Sequence, residues 1–124
     1  MEQINIKQTT PLHQEWLRKL DFYHFELFLI QEQLDEVAED SKDSSILGKV
    51  EHFKKLLNTL KSYIESLRNR VRENQNSMVL DIANEHTIEK NLSVFDLLNE
   101  ECMAQQQAVS ELRKEFDRFV AERV

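Results

Sequence analysis

The side chains from which this chain could assemble reactive or metal-binding chemistry are four histidines, one cysteine and a surplus of carboxylates. His13 and His86 are the most suggestive pair. In an up-down-up bundle they fall at one end, at the start of the first helix and in the turn before the third, with Asp81 and Glu85 close by. Zn takes such nitrogen and oxygen donors tetrahedrally. Exposed histidines at helix ends are common, so the expectation is a solvated pair and no functional metal. A di-iron centre demands more, with inward Glu from two helices and Glu-x-x-His from two others at one level. No Glu-x-x-His occurs here. The nearest run is Asp21-Phe22-Tyr23-His24, whose Asp21 and His24 flank the apolar seam instead of lining it. His24 also stands about one-third of a helix away from the level of His52 in an antiparallel partner.

Nucleophilic catalysis needs a base beside an activated Ser or Cys. Cys102 falls on an apolar seam, which predicts an inert core thiol, with Glu100 and Glu101 beside it in solvent. A single glycine rules out a Gly-rich phosphate loop. The basic residues Lys54, Lys55, Lys61, Arg68, Arg70 and Arg72 are spaced so that they spread around one helix, a mixed solvated face. The chain is therefore expected to be no enzyme, to carry no cofactor, and to bind neither metal nor phosphate through these residues; the competing class is a small-ligand or metal-binding helical bundle.

The elements that must position these groups are helices. With 1 Gly, 1 Pro, 40% hydrophobic and 31% charged residues, the 124-residue chain lacks the turn punctuation of multi-hairpin sheets but is long enough for one self-sufficient core. Residues 46, 50, 53, 57, 60, 64, 67 and 71 are all apolar and alternate steps of four and three. That 3.5-residue period is the mark of a long helix packed along its length at a shallow angle. Trp16, Leu20, Tyr23, Leu27, Ile30, Leu34 and Val37 make a matching seam, widened to one side by Leu17 and Phe28. A third set comprises Ile88, Leu92, Phe95, Leu98, Cys102, Val109, Leu112, Phe116 and Phe119 or Val120. It holds Gln105 at a seam position, and the two short steps at Leu92, Phe95 and Leu98 predict a stammer.

These patterns predict an all-α, antiparallel up-down-up three-helix bundle with coiled-coil-like packing. Residues 1–10 read as a tail, and Thr10-Pro11 as a helix start, since Pro at the first helical position gives up only an unpaired N–H. The helices span about 11–39, 45–83 and 87–122, with Asp43 or Ser44 capping the second and Thr87 the third. No Gly or Pro interrupts 74–77, so the second helix is expected to run through it, with Gln75, Met78 and Ile82 continuing the seam to an Asn84 cap. It would then be about 58 Å long against about 44 Å for the first, leaving Met78, Ile82, Ile88 and Leu92 to be covered by residues 1–10 or a second subunit.

The segments Trp16 to Val37 (WLRKLDFYHFELFLIQEQLDEV), Val50 to Phe53 (VEHF) and Leu112 to Phe119 (LRKEFDRF) resemble small bacterial three-helix-bundle proteins of uncharacterised function. The resemblance implies these helix boundaries and no activity, cofactor or binding residue.

A net charge of −7 repels phosphate backbones and anionic lipid, and no run of about 18 apolar residues exists, so neither nucleic acid nor a membrane is an expected partner. One cysteine and the absence of an apolar core in MEQINIKQTT predict a cytoplasmic protein without a signal peptide. Phe22, Phe25 and Leu29 resist a purely structural role, because they lie on the back stripe of the first helix, opposite its seam. They are the candidate interface for a homodimer or a partner helix. The alternative is a rotation of that helix that turns Phe22 or Phe25 inward.

Overall fold

The computed structural model describes residues 6–80 and 88–123. They form three α-helices, α1 (Ile6–Asp40), α2 (Ser44–Leu80) and α3 (Ile88–Arg123), packed against one another as a three-helix bundle, with α2 the main partner of both others. Cross-helix contacts give the directions. Along α1, His13, Asp21 and His24 meet Asn74, Arg68 and Glu65 of α2 in descending order, so the two run antiparallel. Asn74 meets Asn91, Arg70 meets Glu101 and Phe53 meets Phe116, so α2 and α3 are antiparallel too. None of the helices described is long and apolar enough to cross a membrane.

The first connection is short because Asp43 caps α2. Its carboxylate accepts the Ser45 amide at 2.9 Å, and its carbonyl accepts the first intrahelical bond, from Leu47 at 3.0 Å. A capping carboxylate satisfies a backbone donor that has no partner within the helix. The turn is confined to Ser41–Asp43, tighter than the Glu39–Ser45 segment that loses apolar periodicity. The second connection, with His86, Asp81, Glu85, Asn84 and Thr87, lies outside the described residues.

All seven seam residues of α1 from Trp16 to Val37 are buried. Three features of the periodicity differ from expectation. First, α1 begins at Ile6 rather than at Pro11, so residues 6–10 are helix and not tail. Thr9 and His13 are fully buried and extend the seam by the same alternation of four and three. Pro11 cannot donate to the carbonyl a turn upstream, a cost near 3 kcal/mol in a helix interior. It sits close to the helix start and is exposed, so its ring need not fit the core. Second, α2 is continuous through 74–77, as expected, but the seam passes from Val71 to the buried Asn74 and on to Met78, with Gln75 only half-buried. Third, α3 has no stammer. Half-buried Asn91 precedes Phe95 by one four-residue step, so residues 91, 95, 98, 102, 105, 109, 112, 116 and 119 alternate regularly.

The three helices contain 35, 37 and 36 residues, or about 53, 56 and 54 Å. Over the described residues the three helices are therefore of nearly equal length, while Ile82 and the side chain of Ile88, expected in a projecting part, lie outside what is described. Met78, 1% exposed, is covered within the chain. Rings gather at both ends of the core. Phe53 packs with Phe116 and Phe119 at ring separations of 5.6 and 5.3 Å, and Trp16 lies 4.7 Å from Phe95 near His13.

Candidate functional site

Three groups of side chains depart from a plain apolar bundle. The first is a buried polar layer where the start of α1 meets the end of α2 and the start of α3. His13 is 0% exposed, which corrects its reading as a solvated residue. Its Nε2 lies 2.7 Å from Asn74 Oδ1, while Asn74 Nδ2 donates to the Asn91 carbonyl at 3.1 Å. With the amide oriented by that second bond, Oδ1 can only accept, so His13 Nε2 carries the hydrogen and donates. The ring also stands edge-on to Trp16 and Phe95, with centroids 5.5 and 5.2 Å away. His13 Nδ1 has no partner among the described residues. The ring is thus packed as a core group, since a seam position on α1 faces both other helices. His86, Asp81 and Glu85 lie outside the described residues. No group of three or more His, Cys, Asp or Glu among the described residues could hold a metal ion.

The second group is half-buried between α2 and α3. Glu101, expected in solvent, instead takes both guanidinium nitrogens of Arg70, one of them at 3.1 Å, and accepts a hydrogen bond from the Tyr63 hydroxyl at 2.5 Å. Hydrogen bonding to Arg70 holds the Glu101 carboxyl below its ordinary value, with the Tyr63 bond acting in the same sense and burial opposing both. The Tyr63 hydroxyl is pushed up chiefly because it donates to that carboxylate. Both Glu101 carboxylate oxygens accept hydrogen bonds from α2, so the cluster is a clasp across two helices. Beside it, burial and then the Glu101 charge push the Cys102 thiol up to about 11. A thiol so disfavoured as thiolate is a poor nucleophile. A crevice of about 60 Å³ beside Cys102, lined also by Tyr23, Met103 and Gln106, is far below the roughly 300 Å³ of a typical small-molecule site.

Two of the basic residues of α2, Arg68 and Arg70, are half-buried against other helices and are not part of a solvated face. Arg68 pairs with Asp21 at 2.9 Å, Arg70 with Glu101, and Lys54 with Glu51 at 3.6 Å, so three of the six basic residues are matched by acidic neighbours. His24, half-exposed, is 3.4 Å from Glu65 and nowhere near His52.

The third group is the back stripe of α1. Phe22, Phe25, Phe28 and Leu29 are 57%, 56%, 47% and 38% exposed. The inward rotation of Phe22 or Phe25 is not adopted. Phe28, expected to widen the seam, has joined the stripe instead. The step from Leu27 turns it about 100° away from a residue that already sits in the middle of the core. Its ring stacks on that of Phe25, with centroids 6.5 Å apart and planes 24° apart. α3 exposes Val94, Leu97 and Met103 as well, and α2 Val79 and Leu80, but on neither helix do two of these share a heptad position.

No protein-family model, curated protein or solved structure matches this chain. The geometry of these three groups is accordingly what a functional reading rests on.

Proposed function

We propose that this chain is a non-enzymatic helical interaction module of the cytoplasm, one that self-associates through the outward face of α1. The observation that carries the reading is the contiguous exposed stripe of Phe22, Phe25, Phe28 and Leu29 on a helix whose inward seam is already complete. Apolar patches of this kind on folded chains mark interfaces. Four half-exposed side chains removed from water contribute several kcal/mol before the entropy of association is subtracted, which suits a dimer of modest affinity. The acidic charge supports a protein partner over nucleic acid or anionic lipid.

The test is sedimentation velocity on the full chain from about 1 to 500 µM, with Phe25→Glu as the perturbation. Because Phe25 is outside the core, the variant keeps its helical content and sediments as a monomer where the wild type is dimeric. A wild type that stays monomeric throughout, or a variant that dimerises as well as the wild type, refutes the reading.

A further inference from the structure

The outermost line of the stripe has a charge pattern that is self-complementary in only one orientation. Arg18, Phe25 and Glu32 follow one another at heptad intervals along the outermost line of α1, opposite the seam. Arg18 and Glu32 therefore lie about 10.5 Å to either side of Phe25, with opposite sign. Both are exposed, and neither takes part in an ion pair among the described residues. Charges beside them are occupied, Lys19 by Glu15 at 3.3 Å and Asp21 by Arg68. Phe22 and Leu29 flank Phe25 on one side and are also a heptad apart.

From this pattern we infer that the occupant of the stripe is α1 of a second copy, laid antiparallel across it on a two-fold axis through Phe25. This deepens the self-association reading and rests on it. The two-fold places Phe25 against Phe25, Phe22 against Leu29 of the second copy, and Arg18 against Glu32 of the second copy, each unlike pair occurring twice; one heptad beyond Phe22 and Leu29 it also brings Glu15, already paired with Lys19 at 3.3 Å, toward Glu36 of the second copy. An isologous contact repeats every interaction in this way. A parallel pairing would set Arg18 against Arg18 and Glu32 against Glu32, so like charges oppose it. A heterologous partner has no reason to match a pattern centred on one phenylalanine.

Charge reversal tests the orientation. Arg18→Glu and Glu32→Arg are made singly and together, and the dimer dissociation constant is measured by sedimentation in about 20 mM salt, where such charges are least screened. Each single reversal sets like charges face to face and weakens the dimer by about 5- to 30-fold, and the double variant returns to within about 3-fold of wild type. These positions are exposed, and circular dichroism verifies that each variant folds. If the single reversals leave the constant unchanged, or the double is as weak as the singles, while Phe25→Glu still yields monomer, the antiparallel arrangement is overturned and self-association stands. A wild type monomeric to about 500 µM overturns both, and leaves the stripe to a different protein.

Discussion

Replacing Asn74 by Leu tests whether the polar layer is a coupled unit. The substitution removes the acceptor of His13 Nε2–H and the donor to the Asn91 carbonyl. His13 is 0% exposed, so its N–H cannot turn to water, and a buried unpaired donor costs about 1–3 kcal/mol. Burial of the new side chain offsets up to about 2 kcal/mol of this. The net expectation is a loss of about 1 kcal/mol, or roughly 4 °C in melting temperature for a chain of this length. His13→Leu alone leaves Asn74 Oδ1 without its donor and forfeits the edge-on contacts with Trp16 and Phe95, for a similar or slightly larger loss.

The double variant behaves differently, because it leaves neither half of the bond buried and alone. Replacing both partners of a buried hydrogen bond by apolar groups is close to neutral. The cycle should therefore close with a coupling energy of about 2 kcal/mol, measured by urea unfolding followed by circular dichroism at fixed protein concentration. A coupling below about 0.5 kcal/mol would refute the reasoning, since the two residues would then contribute independently. A polar position in an apolar seam disfavours every alignment that leaves it unpaired, at some cost in stability.

Two further outcomes follow from single residues. Gly48 lies within α2, exposed, with nothing within 4 Å of where a Cβ would be, so Gly48→Ala should stabilise the fold by about 1 kcal/mol in urea titrations; a loss of stability would contradict the open surroundings. Glu101 titrates below its ordinary value of 4.5 in the folded chain, so its contribution is complete above pH 4.5 and is lost as pH falls through the lower folded value. Glu101→Gln should cost about 1 kcal/mol or less at pH 7 and flatten the fall in melting temperature below pH 4.5, whereas parallel melting profiles for variant and wild type would show the clasp to be inert.

The bundle is legible in the sequence where the seams are apolar. From Trp16 to Val37 and from Val50 to Val71, alternating steps of four and three identify the core faces without knowledge of the partner helices. The reading fails where polar residues occupy the same positions. Counted strictly from Val71, the next seam residue is Asn74, but neither it nor Gln75 is apolar, and composition alone does not choose between them. Thr9 and His13 were hidden likewise, and with them the helical identity of residues 6–10, because Thr10-Pro11 carries a strong local start signal. Two fully buried side chains outweighed that local preference. Glu101 was illegible for another reason. Its partners Arg70 and Tyr63 are distant in sequence, and nothing in the local pattern indicates which carboxylate they meet.

The outward lines of the three helices offer a comparison internal to the molecule. Each helix has one line of heptad positions farthest from its seam, and the bundle asks the same of all three, namely compatibility with water. On α2 that line reads Gly48, Lys55, Ser62, Asn69 and Asn76, and on α3 Ser93, Glu100, Gln107 and Lys114, all exposed. On α1 it reads Pro11, Arg18, Phe25, Glu32 and Glu39, with Phe22, Phe28 and Leu29 crowded around its middle. Folding cannot account for the difference, because a phenylalanine in these positions adds nothing to a core it does not touch and exposes apolar area that a lysine or serine would not. The exposed aromatic residues are also confined to the stretch between Arg18 and Glu32, which carry opposite charges on the outermost line. What distinguishes α1 from its neighbours is thus a feature that the isolated bundle does not need and that a second α1, turned end for end, would satisfy.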